Sequence, residues 1–161
     1  MKLMTFFLFL SLITCGKTAN SQTPKSLDEW KNLISHQDFD LINQPAQLDE
    51  EWVKNFKLSY GFDLYSLKNP NDHLQLGDKS LIYAAKNENF YVIYYLNFDS
   101  SVSTTWLLLQ KIPTGIEGFT GTPPFEYRSQ PNKQAFKYFK QDIKNGDVDL
   151  NWFSPLKKNK L

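Results

Sequence analysis

Seven consecutive residues, Phe90-Tyr91-Val92-Ile93-Tyr94-Tyr95-Leu96, are all apolar or aromatic. A strand sends alternate side chains to opposite faces, so a run without polar alternation has to be covered on both sides. That makes it the central strand of a sheet in a layered domain. Leu81 to Ala85 and Thr104 to Ile112 are similarly rich in aliphatic and aromatic residues, and Asn87-Glu88-Asn89 and Asp99-Ser100-Ser101 separate the runs as turns. The pattern predicts an antiparallel meander of three strands, with a fourth at Leu74 to Gly77.

The flanking segments change period. Ser26 with Glu29 three residues on is a capping-box pattern, and Leu27, Trp30, Leu33 and Ile34 then share one helical face. A second helix is predicted around Leu48 to Leu58, with Trp52 and Phe56 aligned and Tyr60-Gly61 ending it. A third spans Asn132 to Asn145, with Ala135, Phe136, Phe139 and Ile143 on one stripe and Gly146 as its stop. Lys133, Lys137, Lys140 and Lys144 lie opposite that stripe. Val148 to Phe153 suits a short edge strand. The fold class is therefore α+β: a three- to four-stranded antiparallel meander with two N-terminal helices and one C-terminal helix. The helices are expected on one face of the sheet, with loops or aromatic tails on the other. Tyr94, Leu96, Phe136 and Phe139 are expected deep in the core.

The first stretch of the chain is of another kind. Lys2 precedes an almost unbroken apolar run from Leu3 to Ile13, which suits a signal-peptide core and falls short of the roughly 20 residues of a membrane-spanning helix. Leu12-Ile13-Thr14-Cys15 closes the run and resembles the lipobox of bacterial lipoproteins. The resemblance is confined to residues 1–15. It implies a diacylglyceryl group on the Cys15 sulfur, cleavage just before it, and acylation (palmitate among the acyl groups) of the new amino terminus. Residues 1–14 then form the signal peptide, 15–25 a lipidated tether, 26–155 a single domain and 156–161 a loose tail. A pair of acyl chains anchors stably where one would not, so the membrane is an expected partner through Cys15, and the outer membrane of the cell envelope the expected place. Ordinary secretory cleavage near Thr18-Ala19-Asn20-Ser21 is the alternative and would release the chain. Cys15 is the sole cysteine, so no disulfide forms within the chain and stability has to come from core packing.

Without Lys2, basic and acidic residues balance, which argues against a nucleic-acid partner, since that needs a basic stripe. The charge is nevertheless uneven. Ser26 to Glu51 holds seven acidic residues against Lys31 alone, and Arg128 onward holds eight basic residues against Asp142, Asp147 and Asp149. Complementary solvated faces account for this, as does a bipolar surface that orients a partner.

Nothing in the sequence calls for a catalytic residue, a metal or a cofactor. His36 and His73 are the only histidines, and a metal site needs three or four converging ligands. Asp147, Asp149 and Asn151 alternate like the start of a calcium loop, but Trp152 and Lys158 stand where glycine and glutamate are required. Gly77-Asp78-Lys79-Ser80 ends like a phosphate loop without its earlier glycine. The segment Pro113 to Pro131, with four prolines and three glycines, suits no regular element. Long loops of this kind in compact domains tend to carry function, which makes Phe119, Phe125, Tyr127 and Arg128 the candidate binding residues. Arg128 is the only arginine, and its planar fork suits a carboxylate or phosphate. Packing of the aromatic residues over the open sheet face as a lid is the other reading of the same segment.

Three functions compete. One is a non-catalytic protein-binding module of the envelope, of which an immunity-type inhibitor of a toxin is one form; the order helix, helix, meander, helix is similar in layout to one broad immunity superfamily. A second is a small-ligand carrier with an aromatic-lined pocket. A third is a hydrolase, which would need His36 or His73 beside carboxylates in a cleft.

Overall fold

The computed structural model describes residues 27–122 and 132–158. The Ser26 end of the proposed capping box and the segments expected as signal peptide and tether lie outside them. Within them the chain is α+β, with helices α1 (Leu27–His36), α2 (Glu50–Tyr60) and α3 (Asn132–Asn145) and strands β1 (Asp40–Ile42), β2 (Asp78–Lys86), β3 (Phe90–Phe98), β4 (Val102–Ile112), β5 (Gly115–Gly121) and β6 (Phe153–Pro155). The strands form one six-stranded sheet in chain order, every pair antiparallel. The expected meander is thus present but longer than three or four strands.

β3 is central, and its alternation separates two cores. Phe90, Val92 and Tyr94 face a cluster with Trp30 and Ile34 of α1 and Phe136, Phe139 and Ile143 of α3. Tyr91, Ile93 and Tyr95 face the other, with Trp52, Val53 and Phe56 of α2. Helices therefore cover both faces, which corrects the expectation of helices on one face only. The sequence reading placed no helix on the second face, but α2 carries an apolar stripe of its own that has to be buried. Tyr94, Phe136 and Phe139 are buried as expected, whereas Leu96 is only half-buried, because β3 runs past the cover of the helices there.

Local chemistry sets the ends of α2. The Asp49 side chain accepts hydrogen bonds from the Glu51 and Trp52 amides at 3.0 and 3.3 Å, a cap worth about 1 kcal/mol. Gly61 closes the helix at φ 75°, a left-handed turn that glycine adopts without Cβ strain. The Tyr60 hydroxyl donates to the Ile116 carbonyl at 2.9 Å and ties α2 to β5. Burial, with the Glu117 charge second, pushes that hydroxyl up to about 12.

Three expectations for the strands are corrected. Leu74 to Gly77 is not a strand; it leads through a turn into β2, with the Asp78 carboxylate accepting from the Gln75 amide at 2.9 Å. Part of Pro113 to Pro131 is regular after all, because Gly115 to Gly121 pairs with β4 along its whole length and with β6 at its end. The last edge strand begins at Phe153, since the Asp149 side chain first takes the Asn151 amide in a turn. β2 also contains a bulge the sequence does not advertise. Leu81 faces Tyr95 and Tyr83 faces Tyr94, so Ile82 is an extra residue, and Ile82 and Tyr83 both fall on the α1/α3 face.

Candidate functional site

The two edges of the sheet differ. β6 ends in Pro155, which has no amide to offer and blunts that edge. β1 has no proline, and its three residues separate two clefts of opposite charge.

On the α2 face, a cleft of about 300 Å³ crosses the end of the sheet. Asp40, Asp49, Glu51 and Glu88 give it four carboxylates against Lys86 and Lys111. Residues of β1, the start of α2, the β2–β3 hairpin and the end of β4 converge there. Lys111 Nζ pairs with Glu51 at 2.8 Å, and the Asp49 carboxylate is held by the first amides of α2. Trp52 and Tyr91 form the floor, edge to face at 4.6 Å. The Tyr91 hydroxyl accepts the Asp49 amide at 3.1 Å, and burial, with the Asp49 charge adding to it, holds that hydroxyl above its ordinary range.

On the α1/α3 face, a second groove of about 410 Å³ has a floor of Phe39, Leu41 and Phe136 and a rim of Lys137, Lys140 and Lys144, with no acidic side chain lining it. Lys140 is fixed there. Its Nζ donates to the Gln37 carbonyl at 2.6 Å and lies 5.7 Å from the centre of the Phe39 ring. Lys137 and Lys144 are exposed. The acidic N-terminal stretch and the α3 lysine stripe therefore meet on opposite sides of one short strand.

The residues expected to bind are placed unequally. Phe119 lies on β5, half-buried and edge-on to Trp30 at 6.2 Å, so it packs against the core. Phe125, Tyr127 and Arg128 lie outside the described residues, as does Cys15. His36 ends α1, its Nδ1 within hydrogen-bond range of the Asn32 carbonyl at 2.9 Å and the Ser35 hydroxyl at 2.8 Å. His73 is exposed in the turn before β2. Among the described residues no three His, Cys, Asp or Glu side chains form a group able to hold a metal, and no helix is long and apolar enough to cross a membrane.

No protein-family model matches the chain, and neither does any curated protein or solved structure.

Proposed function

We propose that this protein is a bacterial envelope lipoprotein, anchored through Cys15 at the outer membrane, whose folded domain acts without catalysis as a protein-binding module. The observation that carries the second half is how the aromatic residues are used. Trp30 packs on Phe90 at 5.1 Å, Trp106 on Tyr94 at 4.7 Å and on Phe139 at 3.8 Å, and Phe56 on Tyr60 at 4.9 Å. Rings that a carrier would spend on lining a pocket here fill the two cores. The two clefts beside β1 are open and charged, which suits a polar macromolecular surface better than an apolar small molecule. A toxin held in check by such a surface is one form of partner. Pull-down of the lipidated protein from its own envelope tests the reading, with capture of a defined protein as the expected result. Recovery of a stoichiometric small ligand and no protein would move the assignment to a carrier.

The anchor has its own test. Mass analysis of the mature amino terminus should show acylated Cys15, and Cys15→Ala should leave the precursor uncut or the protein free of the membrane. An unmodified terminus at Ala19 or Asn20 would sink the lipoprotein reading. Arg128 is proposed, with Phe125 and Tyr127, as a second contact with the same partner. Arg128→Ala should weaken capture without moving the melting temperature; a lowered melting temperature with intact capture would assign it to packing.

A further inference from the structure

Resting on the protein-binding reading above, we infer that the outer edge of β1 takes an extended segment of the partner as a seventh strand, one with acidic side chains at alternate positions and basic side chains between them.

The backbone geometry starts at the next hairpin. The Asn87 amide donates to the Phe90 carbonyl at 3.0 Å and closes the β2–β3 turn. Hydrogen-bonded and non-bonded pairs alternate along an antiparallel ladder, so Lys86, opposite Tyr91, turns its amide and carbonyl away from β3 and toward β1. Lys86 faces Asp40 there, and Ala84 faces Ile42. Asp40 and Ile42 thus point their backbone groups at β2, and Leu41 points its N–H and C=O out of the sheet. These are the groups through which an added strand pairs. The remaining flank of β2 is already taken, by the Lys68 amide on the Lys79 carbonyl at 2.7 Å and the Leu81 amide on the Lys68 carbonyl at 3.0 Å.

The side chains select the sequence of the guest. A strand laid beside β1 sends every second side chain over the α1/α3 face, onto Phe39, Leu41 and Phe136 and among Lys137, Lys140 and Lys144. Glutamate fits there, its methylenes on the apolar floor and its carboxylate among the ammonium groups. The intervening side chains fall on the α2 face beside Asp40, at the side of the acidic cleft that Asp40 lines with Asp49, Glu51 and Glu88, where lysine or arginine is complementary. Main-chain bonds supply attachment and the two opposed fields set register, because a slip by one residue brings like charges together on both faces.

A short fluorescein-labelled peptide of alternating glutamate and lysine is the probe, compared by anisotropy with a peptide of the same composition in blocks. The alternating peptide should bind more tightly. Lys137→Glu combined with Lys144→Glu should weaken it about tenfold, a typical scale for lost charge pairing at an interface. Leu41→Pro and Leu41→Ala both remove the leucine side chain, but only the former removes the outward amide, so the former should bind about tenfold more weakly. In the unaltered protein the Leu41 amide proton should exchange more slowly once the peptide saturates, a readout that does not depend on Leu41→Pro folding. Equal affinity for the two peptides, or unchanged exchange at Leu41, overturns the inference. So does binding of phosphatidylglycerol vesicles through the lysine groove with no peptide bound. Capture of an envelope partner by Leu41→Pro as well as by the parent removes the strand addition and leaves the protein-binding reading standing. Peptide binding at Leu41 with no partner captured does the reverse.

Discussion

Trp106→Ala is expected to destabilise the protein by about 3–5 kcal/mol, the range for emptying a large aromatic site in a core. Trp106 is fully buried and sits where β4 meets α3. Its ring lies 3.8 Å from that of Phe139, 4.7 Å from Tyr94 and 5.9 Å from Tyr83. These neighbours belong to different elements, two strands and a helix, so no single side-chain rotation refills the void. Urea unfolding followed by far-ultraviolet dichroism measures the loss. A value under about 1 kcal/mol would mean that α3 collapses onto the sheet and that the first core is more plastic than its ring contacts imply.

Gly118→Ala should be the next most damaging change, by about 1–3 kcal/mol or somewhat more, since overpacking against backbone has little room to relax. Gly118 faces Leu109 across β4 and β5. A Cβ at position 118 would run into the Leu108 carbonyl oxygen, with the Leu109 Cα at 3.1 Å. The carbonyl belongs to a paired strand and has no rotamer to change. Relief requires β5 to lift from β4, so amide protection should fall at Leu108 and Gln110, which face Phe119 and Glu117 of β5, and persist through β2 and β3. Uniform loss of protection over the whole sheet would show that β5 is coupled to global unfolding; no loss would show that the strands shift without parting.

The contrast between these positions explains how much could be read from sequence. Trp106 and the β3 run announce themselves, since a long apolar segment bounded by Asn- and Asp-rich turns has few other uses. Gly61 likewise ends α2 for a reason visible in one residue. β5 is hidden because Gly-Ile-Glu-Gly-Phe-Thr-Gly reads as a loop, and Gly118 and Gly121 reflect a close approach to β4 and to the chain entering β6 that no local pattern encodes. At Gly121 a Cβ would meet the Trp152 carbonyl and the Phe153 ring, both at 2.6 Å, a contact with residues far along the chain. β1 is three residues long, too short to show a period. The clefts beside it were legible only as charge excess: acidic from Ser26 to Glu51, basic on α3. Which carboxylates share a space depends on β1, α2, the β2–β3 turn and β4 coming together, and that is tertiary information.

Strand order has a kinetic consequence. Each of the first five strands pairs with its immediate neighbour in the chain, and the turns between β2 and β3, β3 and β4, and β4 and β5 are only residues 87–89, 99–101 and 113–114. Short closures cost little chain entropy and form on the microsecond scale of isolated hairpins. The sheet can grow one hairpin at a time from its middle, in the order in which the chain is made. The docking of α3 on α1 and of β6 on β5 instead joins distant parts of the sequence and has to wait for the C-terminal residues. Folding rates should therefore be set by that last closure, and substitutions at Phe139 or Phe153 should slow overall folding while leaving the earlier assembly of β2, β3 and β4 unchanged.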